Sequence, residues 1–394
     1  MTIIAEIGTS HGGSLQKAFE LIDAAAEAGA DCVKFQWVYA DEILHPDTGF
    51  VKLPGGTVRL YSSFKSLECS PDFYSRCLEH AHEKGMLFAC SPFGLRSLEQ
   101  LSAIQPDAIK IASPEVNHVP LLKKCSQLYG TVPVIISSGV SRLSDIEKAV
   151  ELIRGGRSIS DADEEMRPDS KQPFSPLTLL HCLTFYPAPE EEYNVRCVET
   201  LRAIFGIPTG ISDHSTDPVL VPVLSASLGG TIIEKHITLS RKDSGLDDPV
   251  ALEPEQFAAM VHAVRQASAL LERYKKEGEA SGRDLSAQAQ EEIFRQLSYE
   301  YTEERLCAAL GSGVKKLAPA ELQNYGRTNR SLHYSRSMKK GEKITEKDIS
   351  VLRTEKILPP GISPEFLEEL TGARLTQDVR SGDGVQWLHF LQKD

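Results

Sequence analysis

Ile232-Ile233-Glu234-Lys235-His236-Ile237-Thr238 is an apolar run that carries three ionisable residues at its end. It reads as a buried β-strand. Parallel strands covered on both faces are almost continuously apolar, and an unpaired charge inside one costs several kcal/mol in lost hydration. Three such residues at a strand end therefore point to chemistry. Period-two alternation places Glu234 and His236 on one face and Lys235 on the other. A second histidine, in Ile211-Ser212-Asp213-His214, closes the preceding apolar run. Two histidines on successive strand ends can converge on one divalent metal.

Outward from this stretch, residues 3 to about 276 alternate short apolar runs with amphipathic helical patterns. The strand candidates are 3–7, 31–36, 86–90, 108–112, 133–137, 178–182, 207–211 and 231–236. Eight βα units predict an α/β fold, a TIM (β/α)8 barrel over residues 1–276. A doubly wound sheet would need a glycine fingerprint after the first strand, and Gly8-Thr9-Ser10-His11-Gly12-Gly13 does not supply one. Residues 37–69 form a long connection on the face where barrel enzymes place their sites, a candidate lid. Residues 155–176, rich in Gly, Ser, Asp, Glu and Pro, read as a solvated loop on the opposite face. Residues 277–326 read as a polar linker with a helical arm. Residues 327–394 switch to short strand-like runs, with an internal echo between Met338-Lys339-Lys340-Gly341 and Val379-Arg380-Ser381-Gly382. A small β domain with two related halves is expected there.

The chain has 394 residues, long for one domain. No apolar run approaches the roughly 20 residues of a membrane span, and the N-terminus lacks a basic and apolar leader pattern. A cytoplasmic protein without membrane contact is expected. Eight cysteines without a Cys-x-x-Cys pair favour reduced, buried thiols. A formal charge of -12 argues against nucleic acid as a partner but leaves room for a local basic pocket.

In a barrel, strand ends surround one pocket, and Glu6, Lys34, Lys110, His181, His214, Glu234 and His236 all stand at strand ends. Any one of them alone is more often a paired or snorkelling structural residue. Seven together favour a site that takes an anionic substrate and a divalent metal. Lysines bind phosphate or carboxylate as point charges, and Ser91, Ser113, Ser137 and Ser212 add hydroxyl donors, although each is individually as well explained as a helix cap.

Ala5-Glu6-Ile7-Gly8 with His11, Lys34-Phe35-Gln36, Ser91-Pro92-Phe93, Lys110-Ile111-Ala112-Ser113, Leu180-His181-Cys182 with Tyr186-Pro187, Ser212-Asp213-His214 and Glu234-Lys235-His236 together resemble the sialic acid synthase family. Arg330-Ser331-Leu332, Met338-Lys339-Lys340-Gly341-Glu342 and Leu370-Thr371-Gly372 are similar to that family's antifreeze-like β-clip (SAF) domain. The resemblance implies condensation of phosphoenolpyruvate with an N-acylated hexose to a nonulosonic acid. The alternatives are another phosphoenolpyruvate-dependent 3-deoxy-ulosonate synthase, or a sugar-binding homologue without turnover. It implies His214 and His236 as metal ligands, for Mn²⁺ first and Mg²⁺ or Co²⁺ as alternatives. It implies Lys34, Gln36, Ser91, Lys110, Ser113, Ser137, Thr184 and Ser212 as phosphoenolpyruvate contacts. Glu6, Glu115, Glu234 and Lys110 take catalytic positions, and Tyr186, Asp247 and Arg330 sugar-binding ones. Arg330 is implied to come from the second subunit of a homodimer with swapped C-terminal domains. The chain departs from the family's pattern at Ser10-His11-Gly12-Gly13 and Cys182-Leu183-Thr184-Phe185.

Overall fold

The computed structural model describes every residue except 54–55, 158–172, 244, 356 and 391–394. The strands in chain order are β1 (Thr2–Gly8), β2 (Cys32–Trp37), a hairpin of β3 (Phe50–Leu53) and β4 (Gly56–Arg59), β5 (Leu87–Pro92), β6 (Ala108–Ile111), β7 (Val134–Ser137), β8 (Leu177–Cys182), β9 (Thr209–Asp213), β10 (Ile232–His236), and the antiparallel pair β11 (Arg330–Tyr334) and β12 (Ile349–Arg353). Eight of them close into a parallel barrel in the order β1-β10-β9-β8-β7-β6-β5-β2. Strand β9 begins at Thr209, later than the 207 expected from hydropathy. Pro208 has no N–H to give to a ladder, so the strand starts after it.

Inward-facing side chains form tiers, as the two-residue period requires. The lowest is apolar: Ile4, Cys32, Ala89, Ala108, Ile135, Leu180 and Ile232 make one buried cluster. Two residues further along each strand come Glu6, Lys34, Ser91, Lys110, Ser137, Cys182 and Glu234, and all of these line a cavity. Gly210 fills the apolar tier on β9, because a Cβ there would lie 2.2 Å from the Ile232 carbonyl oxygen. The odd residues of β1, Ile3, Ala5 and Ile7, face out and join the main core beneath the surrounding helices.

Residues 277–326 are not a detached linker. The helix Pro254–Ser281 runs through the expected boundary, and the helices Ser286–Leu297 and Glu303–Leu310 follow it. Ile293, Leu297, Leu306 and Ala309 are buried in the same cluster as the barrel helices, so their apolar stripes hold the segment against the barrel. The loop expected over 155–176 lies mostly outside the described residues. In the C-terminal domain the two echoing segments pair with each other: Met338 and Val379 exchange both backbone hydrogen bonds, at 3.0 and 2.9 Å. Gly341 and Gly382 turn alike, with φ of 88° and 85°. This domain has its own small core of Leu332, Tyr334, Met338, Ile344, Leu370 and Val385. Among the described residues no helix is long and apolar enough to cross a membrane, and the eight cysteines are free thiols.

Candidate active site

The mouth of the barrel holds a cavity of about 470 Å³. Its floor is the charged tier. Lys34 Nζ lies 2.6 Å from Glu6 Oε2 and 3.9 Å from Glu234 Oε2, and Lys110 Nζ donates to Glu234 Oε1 at 3.2 Å. Ser212 Oγ donates to the same oxygen at 2.8 Å, Gln36 Nε2 donates to Glu6 Oε1 at 2.8 Å, and Lys34 Nζ reaches Ser91 Oγ at 3.4 Å. The strand register explains the grouping, because Glu6 pairs with Lys34 on one side and with His236 on the other.

The two carboxylates are driven apart. Burial would raise Glu234, but Lys110 and Lys34 outweigh it and hold the group at about 2. Glu6 goes the other way: burial and the neighbouring Glu234 charge raise it, against the pull of Lys34. The lysines split too. Burial lowers Lys110, whereas at Lys34 the attraction of Glu234 and Glu6 overcomes burial and leaves it raised. Asp247, at the rim, is raised to about 6 by burial and by Glu6. Opposed shifts of this kind in one pocket make Glu6 the more readily protonated of the two carboxylates.

Above this floor stand His214 and His236, with ring centroids 5.6 Å apart and planes at 57°. Both line the cavity, and His236 Nδ1 is buried without a hydrogen-bond partner, 4.0 Å from Asp247 Oδ2. His214 Nδ1 donates to the Leu183 carbonyl at 2.8 Å, which leaves Nε2 as the ring's lone-pair nitrogen, 3.1 Å from the Tyr186 hydroxyl. The separation is within the about 6 Å that two imidazoles on one metal allow. Among the described residues no three His, Cys, Asp or Glu side chains converge on a common point. Two imidazoles would thus be the protein's share of a metal site, which keeps positions open for water and substrate oxygens.

Besides the residues already placed, Ser113, Thr184, Tyr186 and Asp247 also line the cavity. Three of the expected residues do not line this cavity within the one chain. His181 does not reach the mouth, since its parity on β8 is opposite to that of Leu180 and Cys182. It points outward, and its Nε2 donates to the Tyr193 carbonyl at 2.7 Å. Glu115 does not face the sugar end of the cavity. It is fully buried at the joint between the domains, with Arg353 Nη2 2.6 Å from one oxygen and Arg330 Nε on the other. Those cations hold its carboxyl below the usual range despite burial. Arg330 is likewise absent from the cavity wall. Besides Glu115 it donates to the carbonyls of Glu42, Val351 and Phe93, at 2.5, 3.0 and 2.7 Å. It clamps the 37–69 connection and the β5 end to the C-terminal domain, all within one chain.

The guanidinium that does line the cavity is Arg353, stacked 5.4 Å from the centre of the Phe93 ring. Its position follows no local period in the sequence. Arg353 is cross-strand partner to Arg330, and two like charges facing each other need a carboxylate between them, but that signal exists only once the register is known. The 37–69 connection forms part of the cavity wall. Val51, Leu60 and Phe64 of this segment line the cavity and belong with Phe93 to a separate apolar cluster.

Residues 21–276 match the NeuB family, and residues 329–391 match the SAF domain. Over its whole length the chain is 34% identical to the spore coat polysaccharide biosynthesis protein SpsE of Bacillus subtilis, of which it covers 94%. It is 30% identical to a pseudaminic acid synthase of Campylobacter jejuni, over 98% of this chain and 96% of that one. With an N,N'-diacetyllegionaminic acid synthase of Legionella pneumophila it shares 29% identity, over 98% and 94% respectively. The crystal structure of Bacillus subtilis SpsE superposes with a TM-score of 0.76 at 32% identity, covering 100% of this chain and 96% of that one.

Proposed function

Because this chain belongs to the NeuB family, we propose that it condenses phosphoenolpyruvate with the open-chain form of an N-acylated hexose, giving a nonulosonic acid and phosphate. The observation that carries this reading is the tier of two lysines, two carboxylates and small hydroxyls buried directly beneath two imidazoles. Lys34 and Lys110, with Ser91, Ser113, Ser137 and Thr184, offer the donors that a phosphate and a carboxylate require. Held in this way, the enol carbon C3 faces the sugar aldehyde in attack geometry.

His214 and His236 would hold a divalent cation, Mn²⁺ by preference, and the cation would supply Lewis-acid polarisation of the aldehyde oxygen. The new C–C bond forms between C3 and the aldehyde carbon, and the positive charge left at C2 lies over the permanently ionised Glu234. Water adds at C2, the aldehyde oxygen takes up a proton, and phosphate leaves by C–O cleavage to give the 2-keto acid. Glu6, whose raised carboxyl sits beside the ionised Glu234, is the group suited to hold a proton near the aldehyde oxygen. Tyr186, Asp247 and Arg353 at the rim would bind hydroxyl and acyl groups of the sugar.

Phosphate release from phosphoenolpyruvate with a panel of N-acyl hexoses, with and without Mn²⁺, tests the reading. Release that needs both an N-acyl hexose and the metal supports it. Release with phosphorylated aldoses alone would favour the 3-deoxy-ulosonate alternative, and binding without release the non-catalytic one. Exchange of residues 327–394 between two subunits would preserve the joint built by Glu115. Mixing a truncation ending near residue 320 with full-length His236→Ala must restore activity if that exchange occurs.

A further inference from the structure

The loop after β7 is held in a forced conformation. Val140 has φ of 41°, a left-handed value that a β-branched residue rarely adopts. One residue earlier, Gly139 packs so tightly that a Cβ would lie 2.0 Å from Thr184 Oγ1 and 3.0 Å from Ser113 Oγ. The Gly139 N–H donates to Ser113 Oγ at 3.0 Å. The loop therefore packs directly against Ser113 and Thr184, two hydroxyls on the cavity wall.

The groups that hold Val140 come from outside the barrel strands. Its N–H donates to Glu321 Oε1 at 2.7 Å, and its carbonyl accepts from Asn329 Nδ2 at 3.0 Å. The same Glu321 oxygen accepts the Thr184 N–H at 2.8 Å, and the other oxygen accepts the Ala318 N–H at 3.2 Å. The Glu321 side chain is buried and does not line the catalytic cavity. One carboxylate thus ties the loops after β7 and β8 to the segment that leads into the C-terminal domain.

We propose that Glu321, assisted by Asn329, is a positioning residue that shapes the phosphoenolpyruvate subsite by holding Val140 in its left-handed turn. The proposal rests on the phosphoenolpyruvate reading above. A bond that only stabilised the fold would change the unfolding temperature and leave substrate affinity alone. A positioning bond changes the KM of one substrate and not the other.

The test is steady-state kinetics on the full-length protein with both substrates, together with calorimetric binding of phosphoenolpyruvate. Glu321→Ala is expected to raise the KM for phosphoenolpyruvate about tenfold or more while the sugar KM stays within about twofold. Glu321→Gln, which keeps an acceptor oxygen, is expected to lose less. Adding Val140→Gly to Glu321→Ala is expected to recover part of the loss, since glycine enters the left-handed region without restraint. Unchanged phosphoenolpyruvate KM in folded Glu321→Ala, equal loss for both substrates, or no recovery with Val140→Gly would overturn the proposal. If Glu321→Ala does not fold, Glu321→Gln and Asn329→Ala are read by the same split. A parent protein that does not bind phosphoenolpyruvate overturns the functional reading and this inference with it, whereas a parent that binds beside an unaltered Glu321→Ala overturns the inference alone.

Discussion

Two clusters of buried charge lie in this chain, one beneath the barrel mouth and one at the joint between the domains, and they are built on opposite plans. At the joint, Glu115 meets two guanidiniums, and the remaining donors of Arg330 are spent on backbone carbonyls. At the mouth, Ser137 Oγ and His236 Nδ1 are buried without a hydrogen-bond partner, and Glu234 Oε2 has only Lys34 Nζ at 3.9 Å. Buried polar groups are normally satisfied. A saturated cluster has little to offer a ligand beyond the outer edge of Arg353, whereas an unsaturated one beside a cavity keeps its valences for the substrate. The difference separates structural charge from catalytic charge more sharply than burial or residue type does.

The largest expected effect tests the unsaturated cluster. Lys34→Ala and Lys110→Ala should each lower kcat/KM for phosphoenolpyruvate about a thousandfold, or about 4 kcal/mol of transition-state stabilisation. The accompanying stability cost should be small for Lys110→Ala, because Glu234 keeps its bond from Ser212 and its contact with Lys34, and larger for Lys34→Ala, which also strips buried Glu6 of its partner at 2.6 Å. Unchanged rate and affinity in either variant would refute the assignment.

The saturated cluster should respond in the reverse sense. Glu115→Ala leaves Arg330 and Arg353 buried beside each other without their anion, a change that costs about 3–5 kcal/mol in comparable pairs. Urea unfolding measures it. A variant as stable as the parent would show that the joint is not held by this charge.

A third measurement asks what the spare imidazole valences are for. The unfolding temperature of the parent should rise with added Mn²⁺, by an amount equivalent to about 2.7 kcal/mol at a hundredfold excess over the dissociation constant. His214→Ala and His236→Ala should lose that rise together with bound Mn²⁺ in elemental analysis. A metal-dependent rise that survives in both variants would place the cation elsewhere.

Much of this was legible in the sequence, for a reason visible in the strands. Alternation in Ile232-Ile233-Glu234-Lys235-His236 correctly sends Glu234 and His236 into the mouth, while Lys235 turns away to Asp213, 2.5 Å from its carboxylate. The same rule, applied to Leu180-His181-Cys182, gives His181 the outward face. Strand-end position alone was the misleading criterion. Glu115, Arg330, Arg353 and Glu321 follow no local period, since their roles arise where segments more than a hundred residues apart meet. The polar character of 277–326 still let one helical arm be read, which corresponds to Ser286–Leu297, but concealed the shorter helix Glu303–Leu310 and the packing of both against the barrel.

His181 offers the smallest effect and a third way to bury an ionisable group, which is to keep it neutral. Its Nε2 must carry the proton, because its partner is a carbonyl, and Nδ1 is left buried without a partner. Burial, helped by nearby Lys315, lowers it to about 3. The unfolded chain, with an ordinary imidazole near 6.5, then binds more protons than the folded one between those values. Stability from this residue is complete above about 6.5 and is lost as the pH falls towards 3. At pH 5 the loss relative to pH 7 is about 2 kcal/mol for one such imidazole. His181→Gln, which can still donate to the Tyr193 carbonyl but cannot titrate, should therefore lose less stability than the parent between pH 7 and 5. His11 and His118, lowered to about 4 and about 3 by burial, titrate in the same window, so the difference between variant and parent is the quantity to read. Parallel acid-unfolding curves for the two proteins would mean that His181 is protonated in the folded state, and that its orphaned nitrogen has a partner after all.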